Sequence, residues 1–139
     1  AAEALIGPAL DAAVREADVI VTATSSDDPV LSADAVPDRA VVIGMGAHEA
    51  HQRELPGALM ARSQVIVESR ASAEAESGDV GIAIREGALS WDAVLTLRDV
   101  VTGGVQDPAP GRPIVNVTTG MSWEDVVVSA AVWRGQGND

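Results

Sequence analysis

The spacing of apolar positions changes several times along the chain, and each change marks an element. Leu10, Ala13, Val14 and Ala17 recur at three- and four-residue intervals, which predicts a short amphipathic helix over 8–17 that Asp18 ends. Val19, Ile20, Val21, Thr22, Ala23 and Thr24 follow without alternation. A compact β-branched run of this kind predicts a strand buried on both faces. Ser25–Pro29 is a polar turn cluster, and Ala40–Met45 reads as a second buried strand from which Gly44 and Gly46 let the backbone turn away. Leu55, Leu59 and Met60 predict a helix, Val65, Ile66 and Val67 a third strand, and the Ala/Glu-rich 71–76 another helix. Ser90 is placed as the N-cap of a helix carrying Trp91, Val94, Leu97 and Val101 on one face. Residues 103–113 form a flexible connection to a last strand, Ile114–Val117. A final helix begins at Ser122, with Val126, Val127, Ala130, Ala131 and Trp133 directed inward.

Buried strands alternating with amphipathic helices predict an α/β fold with a mostly parallel sheet and flanking helices, in one domain over 1–139. Ligands of such sheets bind outside the carboxyl ends of the strands. Attention therefore falls on Thr22–Ser26, Met45–His48, Ser69 and Thr118–Gly120.

Composition narrows the chemistry. The chain has 139 residues, 47% of them hydrophobic, a proportion that argues against disorder despite a net charge of −12. That charge has the wrong sign for phosphate backbones, and no basic stripe or aromatic platform is present, so nucleic acid and anionic membranes are excluded as expected partners. No apolar run approaches the roughly 20 residues that span a bilayer, and no signal segment opens the chain. A cytoplasmic location is the expectation, and the lack of an initiator Met suggests a processed or truncated start. Cys and Lys are both absent, which removes thiolate and Schiff-base chemistry. With Tyr and Phe also missing, the core is expected to rest on many small Ala and Val contacts.

His48, His51 and the carboxylates remain for proton work. His48 and His51 are three apart, so on a helical turn both could face one metal with Glu49 or Glu54 assisting, although the pattern is not H-E-x-x-H. A proton-donor role suits His48 better, because imidazole titrates near neutral pH; the alternative is an exposed loop histidine with no task. No metal site is assigned. Thr22-Ala23-Thr24-Ser25-Ser26 would let a flat ligand approach the backbone, or would simply turn the chain. No G-x-S-x-G elbow occurs, and Gly44-Met45-Gly46 is only half of a G-x-G-x-x-G fingerprint, with Glu49 where the last Gly would stand.

Taken in order, these segments resemble the ornithine cyclodeaminase and mu-crystallin family. The resemblance is carried by Ala17–Ser26 with Pro29-Val30-Leu31, and by Gly46-Ala47-His48 with Arg53-Glu54-Leu55, which matches a G-A-x-x-x-x-x-R-E-L signature. Val67–Arg70, Ala73-Glu74, Ser77-Gly78-Asp79, Asp99–Gly103, Gly120-Met121 and Glu124-Asp125 follow in order, so the likeness runs from about Asp11 to Trp133. It implies a truncated Rossmann-like domain, NAD or NADP as cofactor, a small imine or amine substrate, and a homo-oligomer or complementing chain as partner. Thr22, Ala23 and Thr24 would lie beside the cofactor, with Met45, Gly46 and Ala47 near the nicotinamide. Thr119 and Gly120 would close the substrate side, and His48 would be the catalytic proton carrier.

Departures are informative. The cyclodeaminase branch has Asp where His48 stands and Lys where Gln52 stands, and Ala50 replaces a Pro. A T-V-F-K-S-x-G type run is replaced by Ile114-Val115-Asn116-Val117-Thr118-Thr119-Gly120. These changes point away from ornithine cyclisation, while Ala47 and Arg53 resemble the mu-crystallin and ketimine reductase branch. The family's substrate half and its first strand–glycine–helix unit, which would hold the pyrophosphate, do not appear. A non-catalytic α/β interaction module is therefore the competing reading, and a small-molecule or metal sensor at His48 and His51 a third.

Overall fold

The computed structural model describes residues 4–103 and 111–135. In chain order the elements are α1 (Pro8–Glu16), β1 (Val19–Thr22), a 3-10 turn (Ala33–Ala35), β2 (Val41–Gly44), α2 (Gly57–Arg62), β3 (Gln64–Val67), α3 (Arg70–Glu76) and α4 (Gly78–Arg85). A second 3-10 turn (Trp91–Ala93), β4 (Val94–Thr96), α5 (Leu97–Val101), β5 (Ile114–Val117) and α6 (Ser122–Gly135) complete them. The strands form one five-stranded sheet in the order β1-β2-β5-β3-β4, every pair parallel. The returning β5 inserts between β2 and β3, as an α/β layer fold allows when crossovers run over helices.

Register decides what is buried. Ile20, Val42, Val115, Val65 and Val94 form one row across all five strands, and each is buried. Val14 of α1, Leu59 and Met60 of α2, Ala73 of α3 and Val80 and Ala83 of α4 join this face in one core, together with Leu55. The next row is Thr22, Gly44, Val117, Val67 and Thr96, where the strands end. The pleat sends intervening residues to the opposite face.

That opposite face corrects one expectation. Val19 and Val21 are 61% and 54% exposed, so β1 is buried on one face only. It is the edge strand of the described sheet. The strand also ends at Thr22 rather than Thr24, because the chain turns into the loop above the sheet.

The helices differ from expectation in three places. The helix over 91–101 is replaced by a turn, a strand and a short helix; Val94 is 5% exposed against β3, whereas Val101 is 83% exposed. Ser90 makes no capping bond. Thr96 caps α5 instead, in a reciprocal capping box with Asp99. α4 goes unread in the sequence because Gly78 and Gly81 both argue against a helix, yet Ser77 caps it and Asp79 lies in its first turn. α6 forms where expected, but Val126, Val127, Val128, Val132 and Trp133 are all more than half exposed, so it does not pack them inward. The connection expected over 103–113 falls mainly on residues outside those described. No described helix is long and apolar enough to cross a membrane.

Candidate functional site

The carboxyl edge gathers most of the residues singled out above. Beyond β1 and β2 the chain forms two loops that press together: Met45 N–H donates to Thr22 O at 3.0 Å, and Arg53 N–H to Ser26 O at 2.9 Å. Gly46 is required where these loops touch. A Cβ built on it would stand 1.9 Å from Thr24 O and 2.6 Å from Glu54 Oε1, inside any permissible contact. Between the loops opens a shallow cavity of about 230 Å³ lined by Ala23, Thr24, Ser25, Met45, Gly46 and His48.

Of the expected cofactor residues, Ala23, Thr24, Met45 and Gly46 therefore face one cavity, with His48 at its rim. Thr22 and Ala47 lie beneath it: both are buried, and the Thr22 hydroxyl is already given to Glu54 at 2.9 Å. Neither side chain is among those that line the cavity. His48 is exposed, and its Nδ1 lies 2.8 Å from Gly46 O. A carbonyl only accepts, so Nδ1 carries a proton and Nε2 points away from that bond. His51 turns instead toward Asp27, 3.7 Å away, so the two histidines have separate partners. No group of three metal-ligating side chains exists among the described residues.

Thr119 and Gly120 sit on the same sheet edge but outside this cavity. Glu68, just past β3, accepts from the Thr118 hydroxyl and from the N–H groups of Thr119 at 3.2 Å and Gly120 at 3.0 Å. Gly120, with φ +76°, borders a different cavity with Ser72, Glu76, Met121 and Trp123. Gly120 thus shares the carboxyl edge with the first cavity while bordering a separate one.

Glu54 is the residue that reasoning undervalued. It is fully buried, and its carboxylate accepts from Thr24 N–H (2.5 Å), Thr24 Oγ1 (2.7 Å), Thr22 Oγ1 (2.9 Å) and Gly46 N–H (2.8 Å). Burial pushes its pKa up, but the bonds from Thr24, Gly46 and Thr22 together outweigh burial and hold it below the ordinary carboxylate value. Asp79, also fully buried, accepts the Glu54 and Leu55 N–H groups on Oδ1, each at 2.8 Å, and its Oδ2 has no partner among the described residues. Burial, assisted by the Glu54 charge, raises it to about 6 against the pull of those two N–H groups and of Arg53. Arg53 closes the arrangement with a two-bond pair to Glu86 at 2.7 and 2.8 Å. The run Arg53-Glu54-Leu55 carries no local mark of this burial, because the donors to Glu54 lie 8 to 32 residues away in the chain.

Comparison with known proteins decides the family. The model of the ornithine cyclodeaminase/mu-crystallin family matches residues 8–135. The chain belongs to this family. A Delta(1)-pyrroline-2-carboxylate reductase of Bacillus cereus is 31% identical over 134 residues, covering 91% of this chain and 41% of that protein. Rat ketimine reductase mu-crystallin is 36% identical over 122 residues, 87% of this chain and 36% of that protein. Among solved structures, the iminosuccinate reductase of Paracoccus denitrificans in complex with NAD+ superposes with a TM-score of 0.80 at 31% identity, over 88% of this chain and 38% of that one. The fold is thus the Rossmann-like α/β fold of this family, and the chain spans about two-fifths of the length of these relatives.

Proposed function

We propose that this member of the ornithine cyclodeaminase/mu-crystallin family contributes the nicotinamide side of an NAD(P) site in an oxidoreductase acting on imine–amine pairs. The observation that carries the reading is the cavity between the β1 and β2 loops. It lies at the carboxyl edge of a parallel sheet, where ligands of such folds bind, and its lining is small or apolar apart from His48. The relatives named above reduce C=N compounds by their names, and one was solved with NAD+.

The residues fit part of the cofactor. A cavity of about 230 Å³ is smaller than the roughly 300 Å³ at which sites for larger ligands begin, so it has room for a flat ring and not a dinucleotide. The close contact at Gly46 keeps its floor flat, and the neighbouring acid, Glu54, has its charge fully engaged below. Pyrophosphate contacts would come from residues other than these, since the chain contains no G-x-G-x-x-G turn. When bound, reduced nicotinamide would supply hydride to the imine carbon. His48, oriented through Nδ1 by Gly46 O, would as imidazolium give its Nε2 proton to the imine nitrogen and be left as the neutral Nδ1–H ring. Thr119 and Gly120, held by Glu68, would border the substrate.

Titration of NADH to millimolar concentration, followed by amide NMR, tests the reading. Shifts confined to Ala23–Ser25 and Met45–His48 are expected, and no shift, or shifts elsewhere, would overturn it. A second reading, a docking module without catalysis, draws on the exposed valines of α6 and β1.

A further inference from the structure

We propose that Glu54 is the positioning residue of this site, setting the separation of the β1 and β2 loops and thereby the shape of the ring-binding floor. The inference deepens the NAD(P) reading and rests on it.

A carboxylate offers about four acceptor positions, and Glu54 has four donors, two on each oxygen. Thr24 supplies both donors to Oε1, while Oε2 takes one from Thr22 and one from Gly46. Two of the four are backbone N–H groups, one from each loop that lines the cavity. Backbone donors cannot turn away or become acceptors, so holding both loops requires an acceptor on each of two oxygens, which an ionised carboxylate supplies most strongly. Glu54 is itself anchored from behind: Asp79 at the start of α4 holds its N–H, and its carbonyl accepts from Val30 N–H at 2.8 Å. Its position is thereby referred to α4 and to the loop after β1, and does not depend on the cavity being filled.

Glu54→Gln makes the geometry testable. The amide keeps one oxygen and turns an NH2 toward two donors. Threonine hydroxyls can reverse to accept from it, but the backbone N–H on that side loses its partner. Losing one charge-assisted bond predicts NADH affinity about tenfold weaker, with the circular dichroism of the fold retained. Leu59→Val, a buried change in α2 away from the loops, is the comparison for lost stability alone. It should lower the melting temperature and leave NADH affinity unchanged. Equal affinity in E54Q and wild type, or equal weakening in E54Q and L59V, would overturn the positioning role.

Hydrogen exchange separates this from failure of the NAD(P) reading. If the wild type binds no NADH, that reading falls, and the clasp is judged on the Thr24 and Gly46 amides. Slow exchange in the wild type, accelerated about tenfold in E54Q, would sustain it. Should E54Q not fold, the wild-type amides still decide. Thr24 and Gly46 resonances that titrate together with one carboxylate support the clasp, and independent behaviour removes it.

Discussion

Glu54 and Asp79 are both carboxylates with no solvent exposure, only a backbone N–H apart, yet their protonation is driven in opposite directions. The difference is the number of donors. Among the described residues Glu54 has four, enough to overcome burial, whereas Asp79 has two on one oxygen and none on the other. The pH consequence follows with a definite sign. Asp79 rises from 3.8 to about 6 on folding, so the fold prefers its neutral form. The associated stability is complete below about pH 4, declines as pH rises through about 6, and is absent above that. The shift is worth about 3 kcal/mol. Asp79→Asn keeps the accepting oxygen and does not titrate. Urea unfolding at about pH 4 and about pH 8 should show the wild type losing stability relative to D79N as pH rises, by up to about that amount. Parallel pH profiles for the two proteins would refute this account.

At the scale of elements, α4 shows how packing overrides propensity. Gly78 and Gly81 each lower helix propensity by about 1 kcal/mol relative to Ala, which hides the helix from a reading of local preference. Only one of the two is imposed by structure. A Cβ at Gly78 would lie 1.9 Å from Gln52 O and 2.6 Å from Glu49 O, two immovable backbone atoms. At Gly81 it would meet only the end of the Arg85 side chain at 3.2 Å, which can swing aside. Gly78→Ala should therefore destabilise by about 3 kcal/mol or more, the steric term exceeding the propensity gain. Gly81→Ala should stabilise by up to about 1 kcal/mol. Thermal melts of the pair check both signs, and similar values for the two variants would show that Gly78 is not sterically fixed. The segment over 91–101 teaches the converse lesson. Trp91, Val94, Leu97 and Val101 are spaced like a helical face, but Val94 is drawn into the sheet beside Val65, and Thr96 with Asp99 starts a new helix only afterward. A three-residue strand is too short to announce its own period.

For the whole molecule, the imbalance between the two faces of the sheet dominates. One face is closed by Ile20, Val42, Val115, Val65 and Val94 under the helices, while Val19 and Val21 stand open on the other. α6 adds Val126, Val127, Val128, Val132 and Trp133 to the exposed apolar surface. Exposed apolar side chains of this kind promote association, even on a chain of net charge −12. Sedimentation of the chain should show average mass rising with concentration, and the paired change Val126→Glu with Val132→Glu should suppress the rise. A mass independent of concentration in the unaltered chain would exclude self-association through this surface.

By itself the sequence determined the α/β class, the positions of four of the five strands, and the loops that carry Thr24, Gly46, His48 and Gly120 to one edge. Those features follow from local causes: β-branched runs, glycine breaks and the direction common to parallel strands. Tertiary structure alone decided which glycines are obligatory, which threonines are spoken for, that α6 lies open, and that Glu54 and Asp79 bind the edge together. Each of these depends on atoms distant in the chain. Thr22 and Glu54 are 32 residues apart, and neither carries a local mark of the other. Periodicity reports which way a side chain points; only the packed register of the strands determines what it meets there.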